Sequence, residues 1–371
     1  MSSPSPVVDG FIRGITQAFV LVAGVFACLA ILGVVLFAIS VGIGAGLASS
    51  APSLEGTEFV YESGDRASQN QLLSVRVEGP ILGTAPRDQS ALFLLGGVTY
   101  GYDVQQLLDD AAGNSRIKGV LLHLQTPGGT IFGSRAIHDG VVAYQQRTKR
   151  PVIAYVEGLS ASGGVMAMVG ATKIYADHGS LVGSIGVLGP QLLFYNKPVA
   201  LDGGLLESGV VTQGGIEQTI VTAGRGKDLG NPYRRPTEEE VASLQAGVDA
   251  EYDQFVAHVA RFRHIEPDVI RNQLGAMIFD NGIAEQVGLI DGTASRDEAV
   301  ESLAKLSGVG SQYQLVRPGR TEATMLRRLL SAWSLPAPSR TLSPSEVLRT
   351  AFCAAVRTPL VYYGDPSAFC R

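Results

Sequence analysis

Apolar residues along this chain fall into two patterns. Leu72–Val77, Val120–Leu124, Val152–Val156 and Ile174–Ala176 are short, mostly apolar runs rich in β-branched residues, the pattern of strands covered on both faces. Between them, Val104–Ala112 and Ser134–Gln146 carry helical spacing. Strands alternating with helices predict an α/β protein with a largely parallel sheet. At Thr237 the pattern changes. Thr237-Glu-Glu-Glu240 reads as a capping box behind Pro236, and Val241, Leu244, Val248, Tyr252, Phe255, Val259 and Phe262 follow at steps of three and four. One long amphipathic helix is predicted there, with its stripe against the sheet or another subunit.

The N-terminus follows neither pattern. No charged residue stands between Arg13 and Glu55, and Gly14–Leu54 is about twice the roughly 20 residues that cross a bilayer. This predicts a membrane anchor over 14–54 behind a cytoplasmic stretch, 1–13. A cleaved signal peptide is the competing reading, since Ala45-Gly-Leu-Ala-Ser resembles a cleavage site, but the stretch far exceeds the usual apolar core of roughly 7–15 residues. Arg13 before the span and Glu55, Glu58, Glu62 and Asp65 after it predict that the domain beyond it is extracytoplasmic. The expected organisation is then a linker over 55–71, one domain over 72–305 and an extension over 306–371 of unassigned role. That extension contains a short amphipathic helix at Met325–Trp333 and a Pro-containing linker at Leu335–Ser339. A net charge of −5 weighs against nucleic acid as a partner. Cys28 falls in the span, which leaves Cys353 and Cys370 as the pair available for a disulfide in an oxidising space, or as two free thiols.

The chemistry centres on Ser162. The run Val152–Val156 is followed by a Gly-containing turn, then Ser162-Gly163-Gly164, then a helical Val165-Met-Ala-Met-Val169. A serine there stands at a helix N-terminus beside backbone amides that stabilise an alkoxide or an oxyanion. Upstream, the run Val120–Gln125 ends in Thr126-Pro127-Gly128-Gly129, whose glycines permit positive φ and close backbone approach, so their N–H groups can point at a substrate carbonyl. Taken singly, a glycine pair after a strand is commonly only a turn. A third element, Val182-Gly-Ser-Ile-Gly-Val187, follows at the spacing of a further strand and helix unit.

With these three motifs in order, residues 72–300 resemble the signal peptide peptidase A family of serine proteases, membrane-anchored relatives of the Clp protease within the crotonase-like superfamily. Its hallmarks, S-P-G-G, A-S-G-G and G-S-I-G-V, stand here as Thr126–Gly129, Ala161–Gly164 and Gly183–Val187. The resemblance implies a repeated β-β-α superhelix, a homo-oligomeric ring, Ser162 as nucleophile, a lysine base, and an oxyanion hole from the N–H groups of Gly129 and Gly163. It also implies that Ser184 orients the lysine amine. No cofactor or metal is expected. Two departures stand out: Val165-Met166 replaces the usual aromatic after S-G-G, and Pro190–Thr222 reads as a Gly-rich insertion.

The base is less legible from the residues themselves. None of the five histidines, His123, His138, His178, His258 and His264, sits in a triad context, and no Gly-x-Ser-x-Gly elbow occurs. Lys173 follows Ser162 by 11 residues, about 16 Å along a continuous helix. Lys197 reads as a loop residue. Lys227, in Gly224-Arg-Gly-Lys-Asp-Leu-Gly-Asn-Pro-Tyr-Arg234, matches the family's stretch around its general base and is the only lysine between Lys197 and Lys305. To serve as a base a lysine must be neutral, which requires its pKa to fall from about 10.4 toward about 7–8. Asp228 opposes that fall unless its carboxylate points elsewhere. The predicted function is a membrane-anchored serine endopeptidase cleaving signal-peptide remnants or other short apolar peptides at the membrane. An acyl-CoA enzyme of the crotonase type and a catalytically silent scaffold are the alternatives.

Overall fold

All four predicted strands lie side by side in one sheet. The computed structural model of the chain describes residues 58–84, 97–196, 219–319, 353 and 359–364. The predicted anchor at 14–54, the helix at 325–333, Cys370 and most of the Gly-rich segment lie outside them. Strands β2 (Gln71–Glu78), β5 (Ile117–Thr126), β7 (Val152–Ala161) and β8 (Lys173–Ala176) are parallel neighbours in that order. The sheet is extended by β12 (Gln314–Pro318), parallel to β2, with β1 (Phe59–Gly64) antiparallel outside it, and by β11 (Gly292–Thr293) parallel to β8. The result is a mixed α/β fold.

Near-continuous apolar strands are explained by helices on both faces. On one face Leu73, Val75, Val120, Leu122, Val152 and Ala154 pack with residues of α1 (Gly101–Gly113), α2 (Ile131–Thr148) and α3 (Gly163–Met168). On the other, Leu72, Leu121, Ile153 and Tyr155 meet Ala299, Val300 and Leu303 of α6 (Arg296–Leu306). Alternate residues of one strand thus enter different cores, as period-two side-chain direction requires.

Helix α4 (Glu238–Arg263) carries the predicted capping box, with the Thr237 hydroxyl accepting from the Glu240 N–H and the Glu240 carboxylate accepting from the Thr237 N–H. Its stripe is only half used. Phe255 and Val259 are buried, whereas Val241 is exposed. Residues 59–64, expected within a linker, form β1, and residues of the expected extension join both sheets as β12 and as β13 (Leu360–Tyr362). Cys353 is disulfide-bonded. Among the described residues no helix is long and apolar enough to cross a membrane.

A second, smaller sheet stands at the C-terminal ends of the central strands. It consists of β4 (Thr99–Tyr100), β3 (Ile81–Leu82), β6 (Gly128–Thr130) and β13, in that order, with β13 antiparallel to β6. Ligands of parallel α/β sheets gather at this end of the strands.

Candidate active site

Ser162 follows the last residue of β7 directly. The Gly-containing turn expected before it is a bend within the strand, where Gly158 adopts φ 77°, so that β7 pairs first with β8 and then with β9 (Leu181–Gly183). Ser162 then caps α3 with φ 54° and ψ −107°, outside the ordinary wells of an L-residue. Backbone strain of this kind costs about 1–3 kcal/mol and survives only where neighbours enforce it. The Ser162 N–H donates to the Gly183 carbonyl at 2.8 Å, and the Ser162 carbonyl accepts from the Met166 N–H at 3.0 Å. These bonds build a strand-to-helix elbow without a Gly-x-Ser-x-Gly sequence. The following glycines make it possible, since a Cβ on Gly164 would stand 2.7 Å from both the Ser160 Oγ and the Thr126 Cγ2.

The amide groups expected as oxyanion donors converge beside the serine. Gly128 adopts φ 94°, and a Cβ there would lie 2.6 Å from the Gly163 nitrogen. A Cβ on Gly163 would lie 3.0 Å from the Gly129 nitrogen. Only glycine permits this approach. Thr126 fixes the loop, its hydroxyl donating to the Gly79 carbonyl at 2.6 Å and accepting from the Gly128 N–H at 3.0 Å. The positive φ expected of this glycine pair is found at Gly128, and the anchoring by the Thr126 hydroxyl is added by the tertiary structure.

Ser184 occupies the opposite wall. It too has a positive φ, 58°, and its N–H donates to the Met277 carbonyl at 2.6 Å. The loop then curls so that the Ser162 Oγ reaches the Gly186 carbonyl at 3.4 Å, a weak contact that leaves the hydroxyl little committed. Val165 and Met166, which stand in place of the family's usual aromatic, are buried in the same cluster as Val361 of β13.

Lys227 lies apart from this group. It is exposed in the turns between Gly224 and Asn231, and no hydrogen bond joins it to Ser162 or Ser184 in the single chain. The Asp228 carboxylate does point elsewhere. Both its oxygens accept from Arg234 at 2.7 Å, which holds the carboxyl below its usual range, and Arg234 also bonds Glu240 at the start of α4. That guanidinium ties the lysine-bearing turn to the helix and frees Lys227 from its acidic neighbour.

The histidines play a different part. His138 on α2 and His258 on α4 stack edge to face with centroids 4.2 Å apart, His258 accepting from Arg135 at Nδ1 and donating from Nε2 to the Met166 carbonyl at 3.1 Å. Burial, then each other's charge and that of Arg135 and Arg261, pushes His138 down to about 3. Burial also dominates for His258, which the Met166 bond only partly offsets, leaving it at about 4. Both are neutral at pH 7. The unfolded chain binds protons at these sites below about pH 6.5 while the folded chain does not, so stability is complete above that pH and falls as pH drops toward 4. Melting temperature followed from pH 7 to 4 is expected to fall less steeply in His258→Gln than in the parent; equal slopes would show that the pair does not contribute.

Residues 144–310, which include Ser162, Ser184 and Lys227, match the model of peptidase family S49. Over that stretch the chain is similar to peptidase family S49. Among S49-like relatives, a Methanocaldococcus jannaschii protein described as a protease is 34% identical over 216 residues, covering 58% of this chain. This chain spans 64% of that relative's length. An Enterococcus faecium protein described as signal peptide peptidase SppA is 28% identical over 253 residues, 68% of each chain. Among solved structures, a membrane-bound stomatin-specific protease overlays with a TM-score of 0.39 at 13% identity, covering 69% of this chain and 100% of that one.

Proposed function

We propose that this protein is a membrane-anchored serine endopeptidase that acts on short apolar peptides such as signal-peptide remnants. The observation that carries the reading is the strained Ser162, with the amides of Gly129 and Gly163 converging beside it. In the proposed reaction Ser162 Oγ attacks the scissile carbonyl carbon and passes its proton to the Lys227 amine. The N–H groups of Gly129 and Gly163 stabilise the oxyanion, a contribution worth about 3–4 kcal/mol per donor in other serine peptidases. The lysine returns the proton to the leaving amine as the C–N bond breaks, and water then hydrolyses the acyl-enzyme. The Ser184 hydroxyl orients the lysine.

A single chain supports only part of this scheme, since its Lys227 is exposed and does not touch Ser162. A homo-oligomeric ring, in which the lysine turn of one copy reaches the serine of the next, completes the site. The fold is read as the ClpP-like superhelix of such rings, with Gly14–Leu54 anchoring it and the catalytic domain outside the cytoplasm.

A serine-reactive fluorophosphonate tests the nucleophile directly. The probe is expected to attach to the tryptic peptide containing Ser162 and to abolish peptide hydrolysis in step with labelling. Full hydrolysis after complete labelling, or a label on another serine, would overturn the assignment. Absence of both label and hydrolysis would favour the silent scaffold.

A further inference from the structure

Ser162 is completely buried, a state that no nucleophile can work from. Beside it, against Gly128 and Gly163, stands the chain's own segment at 360–363. This segment lies extended between the two walls of the site. On one side Leu360 and Leu188 exchange both backbone bonds, Leu360 N–H to the Leu188 carbonyl at 2.9 Å and Leu188 N–H to the Leu360 carbonyl at 2.8 Å. On the other side β13 runs antiparallel to β6, with Leu360 opposite Thr130, Val361 opposite Gly129 and Tyr362 opposite Gly128. Beyond the strand the Tyr363 N–H donates to the Pro127 carbonyl at 2.7 Å. Bonded and non-bonded pairs alternate along an antiparallel ladder, so Val361 and Gly129, two steps from Tyr363 and Pro127, are a bonded pair. The Gly129 N–H therefore faces the Val361 carbonyl. The same oxygen lies 2.9 Å from where a Cβ on Gly163 would stand, and 2.2 Å from one on Gly128. It sits at the Gly129 amide and close to Gly163, the two residues whose amides are assigned to the oxyanion.

We propose that Leu360–Tyr363 is a built-in competitive occupant of the peptide groove, seated as a substrate strand with Val361 on the acyl side of the position to be cut. The proposal rests on the serine peptidase reading above and adds the substrate's binding mode and class. Both edges of the occupant are bonded by backbone, the mode of β-strand addition, which selects extended peptides whatever their sequence. Side chains then discriminate. Val361 is buried in the main core beside α3, whereas Leu360 and Tyr362 turn the other way against Leu82, Val98 and Tyr100. The groove thus favours a branched aliphatic residue on the acyl side of the bond and apolar residues on either side of it.

An occupant seated nine-tenths of the time raises an apparent KM about tenfold and leaves kcat unchanged. The full-length double variant Leu360→Asp, Tyr362→Asp is therefore expected to hydrolyse a fluorogenic peptide with Val on the acyl side at a KM about tenfold below the parent's, with the same kcat. Because those side chains also pack on Leu82 and Tyr100, a second measurement uses the parent chain: the synthetic peptide Thr-Pro-Leu-Val-Tyr-Tyr added in trans should inhibit competitively. A parent whose hydrolysis depends on Ser162, but whose KM is unmoved by the double variant and whose activity is untouched by the peptide, overturns the proposal. Binding of a fluorescent form of the same peptide to Ser162→Ala needs no catalysis. It is expected to tighten about tenfold when the two aspartates are added to that variant, and unchanged binding would count equally against the occupant. Loss of hydrolysis in every form with that tightening intact would sink the peptidase reading and leave the occupied groove standing.

Discussion

Ser162→Ala is expected to lower peptide hydrolysis by at least about a thousand-fold while leaving the fold in place. The size follows from chemistry: with no hydroxyl there is no acyl-enzyme, and only the oxyanion amides and the groove remain to help water. The fold is spared because the Ser162 Oγ makes one long contact, 3.4 Å to the Gly186 carbonyl, whose loss costs at most about 1 kcal/mol. Alanine keeps a Cβ and therefore keeps the strain at φ 54°. Ser162→Gly relieves that strain, so it should be as inactive as Ser162→Ala yet melt at a higher temperature. Rate assays and thermal melts on both variants check this pair of effects. Hydrolysis by Ser162→Ala within tenfold of the parent would remove Ser162 as the nucleophile, and a glycine variant less stable than the alanine one would show that the elbow is not strained.

A loss nearly as large is expected from Lys227→Arg, which keeps the charge but supplies no neutral amine near pH 7. Neither Lys227→Arg nor Lys227→Ala should unfold the chain, because the turn is held by Arg234 and its bonds to Asp228 and Glu240 and not by Lys227. Retention of more than about a tenth of the activity by the arginine variant would make general-base catalysis by Lys227 untenable. Mixing Ser162→Ala with Lys227→Ala then locates the base. If the lysine serves the serine of a neighbouring copy, co-assembled rings contain some sites with both groups and regain activity. If it serves its own chain, the mixture stays as inactive as its parts.

Much of the framework is legible in the sequence. The runs at Leu72, Val120, Val152 and Ile174 became adjacent parallel strands, because a strand buried on both faces must be apolar nearly throughout. The capping box at Thr237 and Glu240 opened α4 where predicted, since both of its hydrogen bonds close within three residues. The setting of Ser162 between a strand and a helix was equally local, as was the need for glycines around it. The stripe of α4 is used unevenly, because periodicity records apolar positions without recording what lies opposite them: Phe255 and Val259 meet the core, and Val241 does not.

The sequence by itself determined the four central strands, the start of α4 and the strand-to-helix setting of Ser162, because propensity, burial pattern and capping act over a few neighbouring residues. Tertiary structure alone decided which strands pair and which amides meet. Strand β12 entered beside β2, more than two hundred residues earlier in the chain, and β13 lay down on β6, pairings set by register between distant segments that no local pattern encodes. Gly129 and Gly163 came together for the same reason, each fixed by its own strand end and joined only when β5 and β7 aligned. Lys227 is exposed and bonds neither Ser162 nor Ser184, so where its amine meets a serine is a matter of tertiary or quaternary contact that no local pattern encodes.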